Sequence, residues 1–250
     1  MQWALCFFLF CTICAGEEAG QYFDNLGSKL YSARNYSEAL ELFNMSLQQN
    51  ASNADAWVHK GDTLRALRDY NASLESYIHA ATLDRKKNSA WSGLAETYSA
   101  KKDYANASEA AKKLLEIDPR NKGYMVKTGT FLQMQGNFSE AEAKFDQALA
   151  LDSKYKGALY RKALSEIAAN RTSQAMGLLD QIIAIDPKYK QAYNAMGQAL
   201  EMQGKNDAAL RAYERALQVD PKWNVALINK MNALLESGRQ KEAVDLLLRL

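Results

Sequence analysis

The chain is predicted to be all-α, built from seven copies of one helical hairpin. Three observations predict this. The sequence repeats in register every 34 residues, with copies starting at Gly20, Ala54, Asn88, Lys122, Lys156, Lys190 and Asn224 and no gap between them. Bulky and small side chains recur at fixed offsets within each copy. Only three prolines occur in 250 residues, and Ala and Leu are abundant, a composition that favours helix. A chain of this length would otherwise be read as one or two globular domains. A repeat array is instead stabilised by each unit stacking on its neighbours.

Each offset has a physical role. Position 4 takes a bulky anchor: Phe23, Trp57, Trp91, Met125, Leu159, Tyr193 and Leu227. Position 8 needs a small residue where the two helices of a hairpin approach closely, and holds Gly27, Gly61, Ala95, Gly129, Ala163 and Gly197, with Met231 as the exception. Position 20 is small for the same reason: Ala39, Ser73, Ala107, Ala141, Ala175, Ala209 and Ala243. Position 24 plugs the space between successive repeats with Phe43, Tyr77, Ala111, Phe145, Leu179, Tyr213 and Leu247. Position 32 carries Pro119, Pro187 and Pro221, which stop the second helix and set the turn into the next copy.

This arrangement of large, small and proline positions closely resembles the tetratricopeptide repeat (TPR) family over residues 20–250. The resemblance implies a right-handed α-solenoid of stacked antiparallel helix pairs around a concave groove that takes peptide or protein partners. At position 16, Asn35, Asp69, Asp103 and Asn137 are expected to cap the second helices. Asn35 with Glu38, and Asn137 with Glu140, have capping-box spacing. Repeat 5 departs from the pattern: Glu166 stands at an apolar position and Arg171 at the cap, so repeat 5 is expected to be the loosest joint. Repeat 7 stops at Leu250 inside its second helix, so either the chain is a fragment of a longer array or its apolar tail from Val244 packs on a partner or on a second copy.

With 31 basic and 29 acidic residues the formal net charge is +2. That balance argues against nucleic acid as a partner, which needs clustered Lys and Arg. No glycine-rich phosphate loop, metal-ligand spacing or nucleophile elbow occurs. The two histidines, His59 and His79, fall on different helices and are expected at the surface. A non-enzymatic chain with no cofactor and no metal is therefore expected. The resemblance turns first-helix positions 2, 5, 6, 9, 12 and 13 inward. That mapping gives Asp55, His59, Asp62 and Arg65 in repeat 2, and Lys127, Thr130 and Gln133 in repeat 4. It gives Tyr160 and Arg161 in repeat 5, Gln191, Asn194, Gln198 and Glu201 in repeat 6, and Ile228, Asn229 and Asn232 in repeat 7. No three successive repeats match the Lys/Asn/Arg clamp that grips acidic chaperone tails. The amides Asn194, Gln198, Asn229 and Asn232, with Tyr160 and Arg161, form the candidate partner groove, because amides both donate to and accept from a peptide backbone.

Residues 1–16 read as a signal peptide or a membrane anchor, and residues 17–250 as the array. The run Trp3–Ala15 is apolar over 13 residues, short of the roughly 20 that span a bilayer but suited to the core of a secretory signal. Small residues precede Glu17, although no Lys or Arg precedes the run. All three cysteines (Cys6, Cys11 and Cys14) lie within it, so the array has none for a disulfide or a zinc site. Seven Asn-x-Ser/Thr sequons occur. Two fall on the expected caps Asn35 and Asn137. Asn44, Asn50, Asn71, Asn106 and Asn170 remain as candidate N-glycosylation sites. The expectation is an extracytoplasmic scaffold, secreted or membrane-associated through residues 3–15. The alternatives are a membrane-anchored or intracellular chaperone or assembly adaptor, and the non-catalytic targeting domain of an enzyme complex.

Overall fold

A computed structural model describes residues 2–248, with side chains described for residues 16–248. The side chains of the apolar run Trp3–Ala15, with its three cysteines, and the terminal Leu250 lie outside the described residues. The described residues form fourteen helices and no strand: α1 (Gln2–Ser32), α2 (Tyr36–Gln49), α3 (Ala54–Ala66), α4 (Tyr70–Leu83), α5 (Asn88–Ala100), α6 (Tyr104–Ile117), α7 (Lys122–Gln135), α8 (Phe138–Leu151), α9 (Lys156–Ala168), α10 (Thr172–Ile185), α11 (Lys190–Met202), α12 (Asn206–Val219), α13 (Asn224–Glu236) and α14 (Gln240–Leu247). Fourteen helices in successive pairs agree with seven repeats. Among the described residues no helix is long and apolar enough to cross a membrane.

The chain forms two compact units, Met1–Arg120 with Phe131–Asn137, and Asn121–Thr130 with Phe138–Leu250. In the first unit α1 packs on α2, α3 on α4 and α5 on α6, with α2 meeting α3 and α4 meeting α5. The second unit repeats the scheme from α8 to α14. Within each unit the first helices also touch one another, α1 with α3 and α3 with α5, α9 with α11 and α11 with α13, whereas the second helices do not approach to the same extent. The first helices therefore line the inner face of each unit.

The small residue at position 8 makes room for the plug at position 24 of the same repeat. A Cβ on Gly27 would lie 2.8 Å from the Phe43 ring, on Gly61 2.8 Å from Tyr77, on Gly129 2.6 Å from Phe145 and on Gly197 2.3 Å from Tyr213. Where the plug is Ala111 or Leu179, position 8 is Ala95 or Ala163, and all four are buried. The two positions are thus matched in volume, as dense packing requires. Tyr77 is confined from both sides, because a Cβ on Gly93 in the following repeat would sit 2.3 Å from its ring. In repeat 7, Val244, Leu247 and Leu248 and, on α13, Val225, Ile228 and Leu235 are exposed.

The turn inside each hairpin is the same in all seven repeats. Position 15 has positive φ whether it is Arg34, Arg68, Lys102, Gly136, Asn170, Gly204 or Gly238. The next amide donates back to the carbonyl at position 11, from Asn35 to Leu30 through to Arg239 to Leu234. This left-handed closure satisfies carbonyls that the helix end leaves free. Side-chain caps are less uniform. Asp69 accepts from the Ala72 amide and Asp103 from the Asn106 amide, both at 3.2 Å. Asn35 occupies the cap of α2 but makes no side-chain cap bond, so the expected box with Glu38 does not form. Caps that the sequence reading missed lie before the first helices: Asn53 accepts from Asp55 and Ala56, and Asn121 from Tyr124.

Repeat 5 brings its two unusual residues together. Glu166 is buried, and Arg171 Nε pairs with its carboxylate. The two departures from the family pattern are partners. The acid at the apolar position is paired with the cation that replaces the cap, so the carboxylate is not left buried without a counter-charge.

Candidate protein-interaction site

On the inner face of the first unit the charged side chains are consumed by one another. Asp24, at position 5 of α1, is buried and accepts from His59 Nδ1 at 2.8 Å. Arg65 bridges Asp62 at 3.1 Å and Glu96 of the next repeat at 2.7 Å. The Tyr77 hydroxyl reaches through from the core to donate to Asp62 at 2.6 Å. Burial, reinforced by the Asp62 carboxylate, pushes the Tyr77 phenol far above its ordinary range, so it stays protonated and keeps its proton for Asp62. Asp55 pairs with Lys87 at 2.6 Å.

The inner face of the second unit is arranged differently. Tyr160 packs edge-on against Tyr189 at 5.7 Å between ring centres, and its phenol is pushed up by burial and then by Tyr189. Arg161 lies half-buried beside it and makes no ion pair among the described residues. Asn194 is 5% exposed, and its Oδ1 accepts from Asn229 Nδ2 at 2.9 Å. Gln198 is half-buried and Asn232 exposed. Two of the four expected amides thus close on each other as the rung Asn194–Asn229, and Gln198 and Asn232 stay outside it. Glu201 accepts from the Tyr213 hydroxyl at 2.6 Å. Burial raises its pKa, the Tyr213 bond opposes this, and Glu236 adds to the rise.

Of the two histidines expected at the surface, His79 lies there and His59 does not. His79 is exposed but stacked on Trp57 with ring centres 4.5 Å apart. His59 is half-buried against Phe43 as well as bonded to Asp24. Thr130, mapped inward by the family pattern, is buried and donates to the Val126 carbonyl.

The sequon asparagines have unequal settings. Asn44 is half-buried within α2. Asn50 accepts from the Ser52 amide, Asn71 from Lys101 Nζ, and Asn106 donates to Asp103. Asn170 is exposed at the left-handed turn position with φ of 58°. The hydroxyls of three sequons have packing roles: Ser46, Ser73 and Ser108 are buried, and the first two donate to the carbonyls of Gly20 and Gly61.

Two recurring devices escaped the sequence reading. One is the rung from position 5 of a first helix to position 6 of the next, 35 residues on, seen as Asp24–His59 and as Asn194–Asn229. Polar pairs at that spacing were its signal. The other is a clasp in repeats 4, 5 and 6. Lys122 pairs with Asp152 at 2.6 Å, and Lys156 with Asp186 and Lys190 with Asp220 pair in the same way. The three ammonium groups lie over Tyr155, Tyr189 and Trp223, about 5 Å from the ring centres.

Three family models, each described as Tetratricopeptide repeat, match residues 132–199, residues 191–222, and residues 54–87 with 89–121. Together they span more than half of the chain. No curated protein matches the sequence. Among solved structures, a tetratricopeptide repeat protein from Parabacteroides merdae superposes with a TM-score of 0.80 at 16% identity, covering 93% of this chain and 92% of that one. PilW, a type IV pilus biogenesis factor, gives 0.66 at 21% identity over 79% of this chain and 91% of its own. YrrB, a TPR protein with an unusual peptide-binding site, gives 0.53 at 20% identity over 75% and 97%. These likenesses share the fold alone. With the repeat-wise packing and the matches along the sequence, they lead to one conclusion: this chain belongs to the tetratricopeptide repeat family.

Proposed function

We propose that the chain is a non-catalytic scaffold that binds an extended peptide segment on the inner face of its second unit. One observation carries this reading. The inner-face charges of the first unit neutralise each other through Arg65, Asp62 and Glu96 and through His59 and Asp24. The second unit instead presents an aromatic, a cation without an ion pair and two amides outside the rung: Tyr160, Arg161, Gln198 and Asn232. Those groups suit a peptide backbone and an acidic side chain or terminus. The Asn194–Asn229 rung holds α11 and α13 at the spacing that displays them. The likeness to a peptide-binding TPR protein supports the reading at the level of fold. The test is selection of a random peptide library on the purified chain, followed by affinity measurement. Arg161→Ala and Gln198→Ala with Asn232→Ala should each weaken selected peptides about tenfold or more, the loss of a charge-assisted bond, while Arg65→Ala leaves them unchanged. Peptides that respond to Arg65→Ala and ignore the other variants would move the site to the first unit.

We further propose that the protein is exported, with residues 1–16 as the signal. The apolar run Trp3–Ala15 and the exposed sequon at Asn170 support this. Intact mass of the protein from its native host decides it: loss of about the first 16 residues establishes cleavage, and a sugar increment abolished by Asn170→Gln establishes modification there. An unmodified full-length mass rejects both.

A further inference from the structure

The rung between successive first helices is seen with a titratable pair in one place and without one in another. Asp24–His59 joins α1 to α3, and Asn194–Asn229 joins α11 to α13 across the same repeat positions. Asp24 is 3% exposed, and His59 is the one partner its carboxylate has among the described residues. A buried carboxylate is costly unless a cation or several donors face it. We propose that this pair is a pH-operated fastener between the first two repeats, closed when the His59 imidazole is protonated and loosened when it is neutral.

The surroundings of the imidazole favour such behaviour. From α1 it meets Asp24, and from α2 it meets the ring of Phe43 at 5.4 Å. On its own helix Asp55 and Asp62 act on it as well. The neighbouring cations are engaged elsewhere: Lys87 by Asp55, and Arg65 by Asp62 and Glu96. The Asp24 hydrogen bond raises the His59 pKa above the ordinary 6.5, burial opposes the rise, and the charges of Asp24, Asp55 and Asp62 add to it. The direction of the linkage follows. A group whose folded pKa is raised contributes stability that is complete below the unfolded value and is lost as pH rises through the folded value. The joint between α1 and α3 is therefore tight at mildly acidic pH and weakens above neutrality, and the Asn194–Asn229 rung between α11 and α13, which holds no titratable group, supplies no such response. The device makes docking of the amino-terminal helix, the one that continues into the apolar run, sensitive to the acidity of the compartment.

Two measurements on the full chain test it. With only two histidines in the sequence, an NMR titration resolves both, and a His79→Gln variant assigns them. The His59 midpoint should lie above 6.5 and fall toward it in Asp24→Asn. Hydrogen exchange, corrected for intrinsic rates, should show α1 and α3 losing protection between pH 5.5 and 8.5. The loss should be about tenfold for each pH unit by which the midpoint is raised, with α11 and α13 unchanged. Replacing the pair by Asp24→Asn with His59→Asn copies the carboxy-terminal rung and should abolish the response. An unshifted His59 midpoint in the unaltered protein, or equal pH sensitivity in α11 and α13, overturns the proposal without reliance on any variant folding.

Discussion

Repeats 2 and 6 both plug their hairpins with a tyrosine that meets a glycine, yet they handle charge in opposite ways. In repeat 2 the Tyr77 hydroxyl donates to Asp62, and Arg65 at position 12 neutralises that acceptor while reaching Glu96 in the next repeat. In repeat 6 the Tyr213 hydroxyl donates to Glu201, which itself stands at position 12. The sign of the inner face thus inverts at one repeat position while the hairpin core stays the same. The outer edges invert too. Asp69 and Asp103 cap second helices with their side chains, whereas Arg171, Lys205 and Arg239 at the same position make no cap bond. The later repeats instead use the lysine–aspartate–aromatic clasp. The lesson is that positions fixing the hairpin are shared by both regions, and positions that only need to be polar diverge. Partner choice can reside in the latter without disturbing the former.

The largest effect should come from challenging what the two repeats share. Gly197→Ala places a Cβ 2.3 Å from the Tyr213 ring, closer than the 2.8 Å that Gly61→Ala would impose on Tyr77. Overpacking of this kind costs about 1–3 kcal/mol, and Gly197→Ala should fall at the upper end. Adding Tyr213→Leu recreates the Ala163 and Leu179 pairing of repeat 5 and should recover part of the loss. Urea unfolding of the single and double variants measures the coupling. Strict additivity would show that volume matching does not set these positions.

A smaller effect is expected where a single repeat departs from both regions. Arg171→Ala leaves Glu166 buried without its cation and should destabilise repeat 5. Glu166→Leu restores the apolar residue found at this position in repeats 1, 2, 4, 6 and 7. In that background Arg171→Ala should have little effect. If Arg171→Ala costs as much in the Glu166→Leu background as in the unaltered protein, the pair does not act as a unit.

The legibility of the sequence follows the same division. Phe43, Tyr77, Phe145 and Tyr213 announced themselves because a plug must be large wherever its facing glycine is small, a constraint that acts in every copy and so produces a visible period. The left-handed turn did not announce itself, because Arg34, Arg68 and Lys102 adopt it as well as Gly204 and Gly238. The tertiary closure overrides local preference there. Asn194 was legible as an inner-face residue, but its bond to Asn229 was not, since a pair 35 residues apart is a property of stacking between repeats. Glu166 and Arg171 each looked like a defect when read against a consensus, because a column-by-column reading does not see that the chain turn brings positions 11 and 16 together.

The smallest effect distinguishes the clasps of the later repeats from ordinary surface ion pairs. Asp152, Asp186 and Asp220 are held below the usual carboxylate range, first by the lysine bond in each case; backbone amides of Lys154, Lys188 and Lys222 also contribute. A depressed folded pKa gives stability that is present above the unfolded value and is lost as pH falls through the folded one. Any contribution from the clasps should therefore vanish only below about pH 4, well separated from the window of the His59 pair. All three carboxylates are accessible to solvent, so salt should screen them as it does other exposed pairs. A carboxylate-detected NMR titration of Lys190→Met should return Asp220 to the ordinary range and leave Asp152 and Asp186 depressed. If Asp220 stays low without its lysine, the Lys222 amide alone sets it. The clasp would then be a loop device shared with Asp84, which accepts from the Lys86 amide in repeat 2 in the same way.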